Sequence, residues 1–247
     1  MEIYKLVATF FVGLLVSFVG SMAGSAGLVT IPFLIFMGLP PHIAIATHRV
    51  GAVGLQIGAL VRFIKSTEIA WNYIAGFSIL AVLAAPLGSF MLIETDQEVL
   101  THIIVGIMFI VLLLMLFNRD IGLKNREVSK HRKTAGHLVY FFVLIWQAFF
   151  GGGTATLYFY VMMYFFGMSI NRANATVKIP GLFLGLVTLI IFIYNDMVNW
   201  PYGLAMFAGM IIGGYIGIHT ALKKGNTWVR TFFMVIVLAS ALKLLFD

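Results

Sequence analysis

Apolar residues run along this chain in long blocks, and polar and charged residues gather in the short stretches between them. Ile103 to Phe117 and Leu182 to Tyr194 are two such blocks. Several reach the roughly 20 residues that carry a helix across a bilayer. Lipid offers no water to a non-helical backbone, so each block is expected to be helical. In the first half they run at about 4–21, 26–38, 43–64, 70–93 and 98–117, and in the second at about 137–150, 154–167, 174–194, 200–222 and 228–246. The first two of each half are short. Thirteen residues such as 26–38 make a helix of roughly 20 Å, against a hydrocarbon core of roughly 30 Å. These pairs are candidate broken or re-entrant hairpins.

The two halves carry one pattern. An ungapped offset of 129 positions puts Gly24 on Gly153, Ala26 on Ala155, Leu28 on Leu157, Phe36 on Phe165 and Gly38 on Gly167. It also puts Ala44, Ala46 and Thr47 on Ala173, Ala175 and Thr176, Trp71 and Tyr73 on Trp200 and Tyr202, and Gly88 on Gly217. Ser25 meets Thr154, and Arg49 meets Lys178. Apolar coincidences are common in such a composition, but paired Trp, Tyr, Gly and cationic positions mark a duplication. The expected organisation is a first membrane repeat over 1–118, a basic cytoplasmic linker over 119–134 and a second membrane repeat over 135–247.

Charge orients the copies. The loop with Arg62 and Lys65 and the central linker are basic, and Glu94, Asp96 and Glu98 between them are acidic. Positive residues stay inside, which sets the first two inside and the third outside. At the matched positions the signs are swapped, with Lys223 and Lys224 facing the acidic loop's place and Asp196 the basic loop's. The expected fold is therefore an all-α polytopic membrane protein of two inverted-topology repeats, about five helical segments each, with both termini outside. Parallel repeats with four spans per half are the alternative.

Composition agrees with a membrane solvent: 61% of the 247 residues are hydrophobic and 10% charged, with a mean hydropathy of +1.02. A soluble domain carries about 25% charged residues. Cysteine is absent, which excludes disulfides and thiolate metal sites. The net charge of +7 sits largely between Arg119 and Lys133, so it reads as an inside loop and not as a nucleic-acid surface. The first 22 residues resemble a signal peptide, but with no polar domain after them they read as a first membrane segment.

The candidate chemistry lies at two glycine breaks, Gly20-Ser-Met-Ala-Gly-Ser-Ala-Gly27 and Gly151-Gly-Gly-Thr154. Glycine permits the tight turns such a break needs, and Ser25 and Thr154 are N-cap types at the start of the following helix. Free N–H groups at a helix N-terminus attract an anion. Gly24, Ser25, Ala26, Gly27, Gly152, Gly153 and Thr154 are thus candidate anion contacts, with tight helix packing as the plainer explanation of the glycines. Ala46-Thr-His-Arg49 and Ala175-Thr-Val-Lys178 add cations inside apolar segments, where a charge costs about 2.5–3.5 kcal/mol on the milder scale. Thr47, His48 and Arg49, with Asn174, Thr176 and Lys178, complete the candidate substrate-binding set. The cheapest counter-ion is the substrate itself, unless the cations snorkel to an interface.

Other features read as structural. Trp71, Tyr73, Trp200 and Tyr202 are expected interface anchors, and Gly51, Gly54 and Gly58 a stripe for close helix approach. The histidines show no metal-site grouping, so neither metal nor cofactor is expected. No Asp or Glu lies deep in an apolar segment, which disfavours a carboxylate proton relay and leaves the anion's gradient and the membrane potential as the driving force. An enzyme would need a nucleophile and base, for which only Ser25, Thr154 and His48 lie deep enough, and a structural subunit would need no ligand at all. The chain is expected not to be an enzyme.

With these residues in view, the chain resembles the sulfite exporter TauE/SafE family. Gly24-Ser-Ala-Gly27, Pro32, Gly38, Pro40, Pro41 and Ala46-Thr47 carry the first-half likeness, and Gly151-Gly-Gly153, Gly167, Ala173 and Ala175-Thr176-Val-Lys178 the second. The resemblance implies a multi-pass protein of the cell inner (cytoplasmic) membrane that moves sulfite, sulfonates or related organosulfur anions. Its expected partners are a small anionic substrate, the lipid bilayer and, in a homo-oligomer, further copies of the chain, with no nucleic acid.

Overall fold

A computed structural model describes residues 3–23, 26–66, 68–96, 99, 127–151 and 154–246. All of its regular elements are helices: α1 (Ile3–Ala23), α2 (Gly27–Phe36), α3 (Pro41–Phe63), α4 (Trp71–Glu94), α5 (Lys130–Phe149), α6 (Thr154–Phe165), α7 (Ile170–Tyr194) and α8 (Trp200–Phe246). Among the described residues, five helices are long and apolar enough to cross a membrane: α1, α3, α4, α7 and the Trp200–Gly225 part of α8. The segment expected at 98–117 and the linker up to residue 126 lie outside the described residues.

Helix boundaries repeat at the offset seen in the sequence. α2 and α6 end at Phe36 and Phe165, α3 and α7 start at Pro41 and Ile170, and α4 and α8 start at Trp71 and Trp200. Both short helices stop at a left-handed glycine, Gly38 at φ 99° and Gly167 at φ 68°, a conformation that costs an L-residue roughly 1–2 kcal/mol. Two expectations change. α1 has 21 residues and α5 has 20, each about 30 Å long, so only the second helix of each pair is short. α5 also begins at Lys130, inside the stretch read as linker, because its basic first turn is helix-compatible although it is not apolar. In the second half the last two expected segments are two helices that meet at non-helical Gly225 (φ 83°, ψ 174°), both carried under the label α8.

Small residues set the packing. Gly209, Gly213 and Gly217 on α8 lie so close to the backbone of Phe10, Leu14 and Phe18 on α1 that a Cβ would collide there. Gly54 and Gly58 on α3 lie against the Phe207 and Ile211 carbonyls of α8 in the same way. Without a hydrophobic force between helices in lipid, such close approach supplies the attraction. In both contacts residue numbers rise together, so α1, α3 and α8 run in one direction. α3 and α7 run oppositely, with Val53 beside Gly185 and Gln56 beside Gly181. The first and third helices of each half pack on the fourth helix of the other, α1 and α3 on α8, α5 and α7 on α4.

The perimeter is apolar. Ile3, Val7, Phe11 and Leu15 on α1 and Ile79, Leu83, Leu87 and Phe90 on α4 are exposed, as lipid-facing side chains should be. Trp71 and Trp200 are exposed at helix starts, whereas Tyr202 is buried and Tyr73 packs on Phe77 and Phe166. Tyr202 therefore belongs to the interior, unlike the anchor expected from the sequence, and Tyr73 is half-buried. Two ends of the bundle can be told apart. One brings His42 at the start of α3 to the Thr95 carbonyl after α4, and the other brings Arg62 on α3 to His219 on α8.

Candidate functional site

The two glycine breaks meet. At the first, α2 starts at Gly27 with Ala26 before it in helical geometry and no side-chain cap. The Ala26 carbonyl accepts from the Val29 and Thr30 amides. At the second, Thr154 opens α6, and its hydroxyl donates back to the Gly151 carbonyl at 3.0 Å. Ala26 gives α2 no side-chain cap, the expected cap Ser25 lies outside the described residues, and Thr154 stands as the first residue of α6 and not before it. Gly20, Ala26 and Gly27 from one break and Gly151 and Thr154 from the other line a single cavity of about 70 Å³. One water needs roughly 10–15 Å³ of such space, so a small oxyanion is the right scale of occupant.

α3 and α7 supply the charge. His48, Arg49, Ala52 and Gln56 line the cavity from α3, and Asn174, Val177 and Lys178 from α7. Arg49 and Lys178 are 2% and 6% exposed, so neither snorkels to an interface. Among the described residues, no acidic side chain lines the cavity. Arg49 nevertheless has partners within the protein: its Nη2 donates to the Gln147 carbonyl at 2.8 Å and the Ala148 carbonyl at 3.1 Å. A cation there satisfies the unpaired carbonyls and the negative end of the α5 dipole. The substrate is thus not the only counter-charge for Arg49, as the sequence alone suggested. Its Nε is still buried without a partner. Gly151, at φ 80°, lets the chain turn beneath this guanidinium, since a Cβ there would lie 3.3 Å from Nη1 and Nη2.

The matching position in the other half differs. Asn174 Nδ2 donates to the Ser21 carbonyl at the end of α1 at 2.7 Å, doing for α1 what Arg49 does for α5. Lys178 is left with no hydrogen-bonding partner among the described residues. His48 Nδ1 lies 2.8 Å from Thr30 Oγ1, and the Thr30 hydroxyl donates its one hydrogen to the Ala26 carbonyl at 2.9 Å. With the Thr30 hydrogen given to Ala26, Nδ1 is the donor of the pair, which leaves Nε2 of the neutral ring as an acceptor.

Of the residues proposed from sequence, Ala26, Gly27, His48, Arg49, Thr154, Asn174 and Lys178 come together here. Gly24, Ser25, Gly152 and Gly153 lie outside the described residues. Thr47 and Thr176 are engaged elsewhere: Thr47 Oγ1 accepts from the Asn199 amide at 3.0 Å, and Thr176 Oγ1 from the Ala70 amide at 3.1 Å. Each steadies the residue just before the fourth helix of the opposite half. Gln56, Gln147 and Tyr158 also line the cavity and were not picked out. Gln56 could have been, because it stands seven residues after Arg49 and so on the same helix face.

The family model described as "Sulfite exporter TauE/SafE" matches residues 9–244. The chain belongs to this family. Relatives of this TauE/SafE chain align along nearly its whole length. A probable membrane transporter protein of Haemophilus influenzae is 26% identical, over 96% of this chain and 93% of its own. The probable membrane transporter protein YfcA of Escherichia coli K12 is 25% identical, over 96% and 88%. A probable membrane transporter protein of Xylella fastidiosa strain Temecula1 is 27% identical, over 98% and 95%. No solved structure matches the chain. Family and relatives together support a multi-pass membrane transporter.

Proposed function

We propose that this protein carries a small anion, sulfite or an organosulfur anion such as a sulfonate, across the cytoplasmic membrane, and that the cavity between the glycine breaks is its binding site. One observation carries the reading: two buried cations from matched positions enter a cavity that has no carboxylate and that faces the starts of two half-length helices. Arg49 Nε and Lys178 supply charge, and the backbone around Ala26, Gly27 and Thr154 supplies N–H groups. Gly24, Ser25, Gly152 and Gly153 are proposed as further contacts because they adjoin those positions in sequence. Transport is favoured over catalysis because the relatives are probable membrane transporter proteins and the Thr154 hydroxyl donates to the Gly151 carbonyl and not to His48.

The two halves are proposed to be inverted-topology repeats with re-entrant hairpins. In support, the matched helices α3 and α7 run oppositely. α2 runs from the cavity toward the start of α3, and α6 from the cavity toward the start of α7, at opposite ends of the bundle. Charge agrees. Arg62, Lys65, Lys130, Arg132, Lys133, Arg172, Lys223 and Lys224, with Glu68 and Glu127, fall at one end, and Glu94, Asp96 and Asp196, with Lys5, at the other. The basic end faces the cytoplasm. A site between such repeats reaches either side when one repeat moves against the other.

The test is flux of labelled sulfite and of a small sulfonate into liposomes holding the purified protein. Wild type should transport at least one of them, and Arg49→Ala combined with Lys178→Ala should abolish it. Equal flux in the double variant would remove the cavity from the mechanism.

A further inference from the structure

The cavity offers more than positive charge. Asn174 is pinned, because Nδ2 donates to the Ser21 carbonyl, and Oδ1 is therefore an acceptor by necessity. That oxygen is buried and has no partner. His48 is oriented in the same sense through Thr30, and Nε2 of its neutral ring, the acceptor left by that arrangement, has no hydrogen-bonding partner among the described residues. Gln147 Oε1 is a third acceptor, a buried oxygen without a partner among the described residues. All three side chains line the space that Arg49 and Lys178 line.

An anion with no hydrogen to donate satisfies only half of this set. Its oxygens answer Arg49 Nε and Lys178, while the Asn174 and His48 acceptors stay unpaired or face its lone pairs. A buried polar group left without a partner costs about 1–3 kcal/mol, which is roughly 5–150-fold in affinity. A site built to bond a hydroxyl or amine rejects the analogue lacking it far more strongly than an apolar pocket rejects an extra methyl.

We propose that the cavity selects a small monoanion bearing its own hydrogen-bond donor, a hydroxyl, an amine or a protonated oxyanion oxygen, over a donor-free anion of the same size and charge. Asn174 Oδ1, His48 Nε2 and Gln147 Oε1 receive the donor, Arg49 and Lys178 hold the anionic oxygens, and the cavity volume excludes anions much larger than a few heavy atoms. The inference rests on the anion-binding reading and adds the substrate class to it.

Two isosteric pairs test it in binding titrations on the full chain in lipid nanodiscs. Sulfamate and methanesulfonate differ by an amine against a methyl, and glycolate and propionate by a hydroxyl against a methyl. The donor-bearing member of at least one pair should bind ten or more times more tightly than its partner. In His48→Phe and in Gln147→Met that ratio should shrink to threefold or less, with binding of the donor-free member kept as proof of a folded site. Gln147 bonds no protein group through its side chain, so its variant guards against a loss of folding in the other. Equal affinity within both pairs, or tighter binding of the donor-free members, would overturn the inference and leave anion binding intact. Unchanged ratios in both variants would overturn it also. Binding of none of the four by wild type would overturn the anion-binding reading itself, and this inference with it.

Discussion

Arg49 and Lys178 stand at matched positions and do different work. Arg49 ties α3 to the last carbonyls of α5, so Arg49→Ala removes two charge-assisted bonds and strands buried acceptors. The expected cost is about 2–4 kcal/mol of unfolding free energy, read by denaturant titration in detergent. Lys178 bonds nothing among the described residues, and a buried unpaired charge is itself unfavourable. Lys178→Met should therefore leave stability unchanged or raise it while anion affinity falls at least tenfold. A parallel loss of stability and affinity in both variants would deny Lys178 a ligand-directed role. The two cations were legible in the sequence because a charge in an apolar run is conspicuous. Gln147 was not, since an amide in such a run serves packing as readily as a site, and Gln56 was marked only by its place seven residues after Arg49. Thr47 and Thr176 were placed among the contacts because a hydroxyl beside a cation suits either task. Only geometry separates an oxygen that meets a ligand from one that holds an amide across 152 or 106 residues.

At the scale of elements, those two threonines fix where α8 and α4 begin. Thr47→Val and Thr176→Val each leave a backbone N–H without its partner and should cost about 1–3 kcal/mol, with anion affinity changed less than twofold. A variant with normal stability and lost binding would move that threonine into the site. Helix contacts are equally specific. Gly58→Ala drives a Cβ into the Ile211 carbonyl of α8 and should cost about 1–3 kcal/mol as overpacking, visible as a lower melting temperature. The starts and stops of the elements were readable from the repeated Gly38/Gly167 and Trp71/Trp200 pairs. Lengths were less so. A count of apolar residues finds only the stretch that meets lipid, and helices continue beyond it, α1 to Ala23 and α5 back through polar yet helical residues to Lys130.

At the scale of the molecule, the account requires two copies facing opposite ways. The chain has no cysteine, so single cysteines report sidedness without background. Glu94→Cys and Lys223→Cys occupy matched positions, and a membrane-impermeant thiol reagent should label the first only from outside and the second only from inside. Labelling of both from one face would make the repeats parallel. The pairing of halves was legible because a duplication repeats rare residues at one spacing. That the first and third helices of each half grip the fourth of the other was not, because no sequence signal says which glycine stripe meets which helix. The most direct measurement of the central claim is anomalous diffraction from crystals soaked in selenite, the selenium analogue of sulfite. The account predicts a selenium peak between the starts of α2 and α6, within hydrogen-bonding reach of Arg49 Nε and Lys178 Nζ. A peak elsewhere in the membrane interior, with this cavity empty, would contradict it.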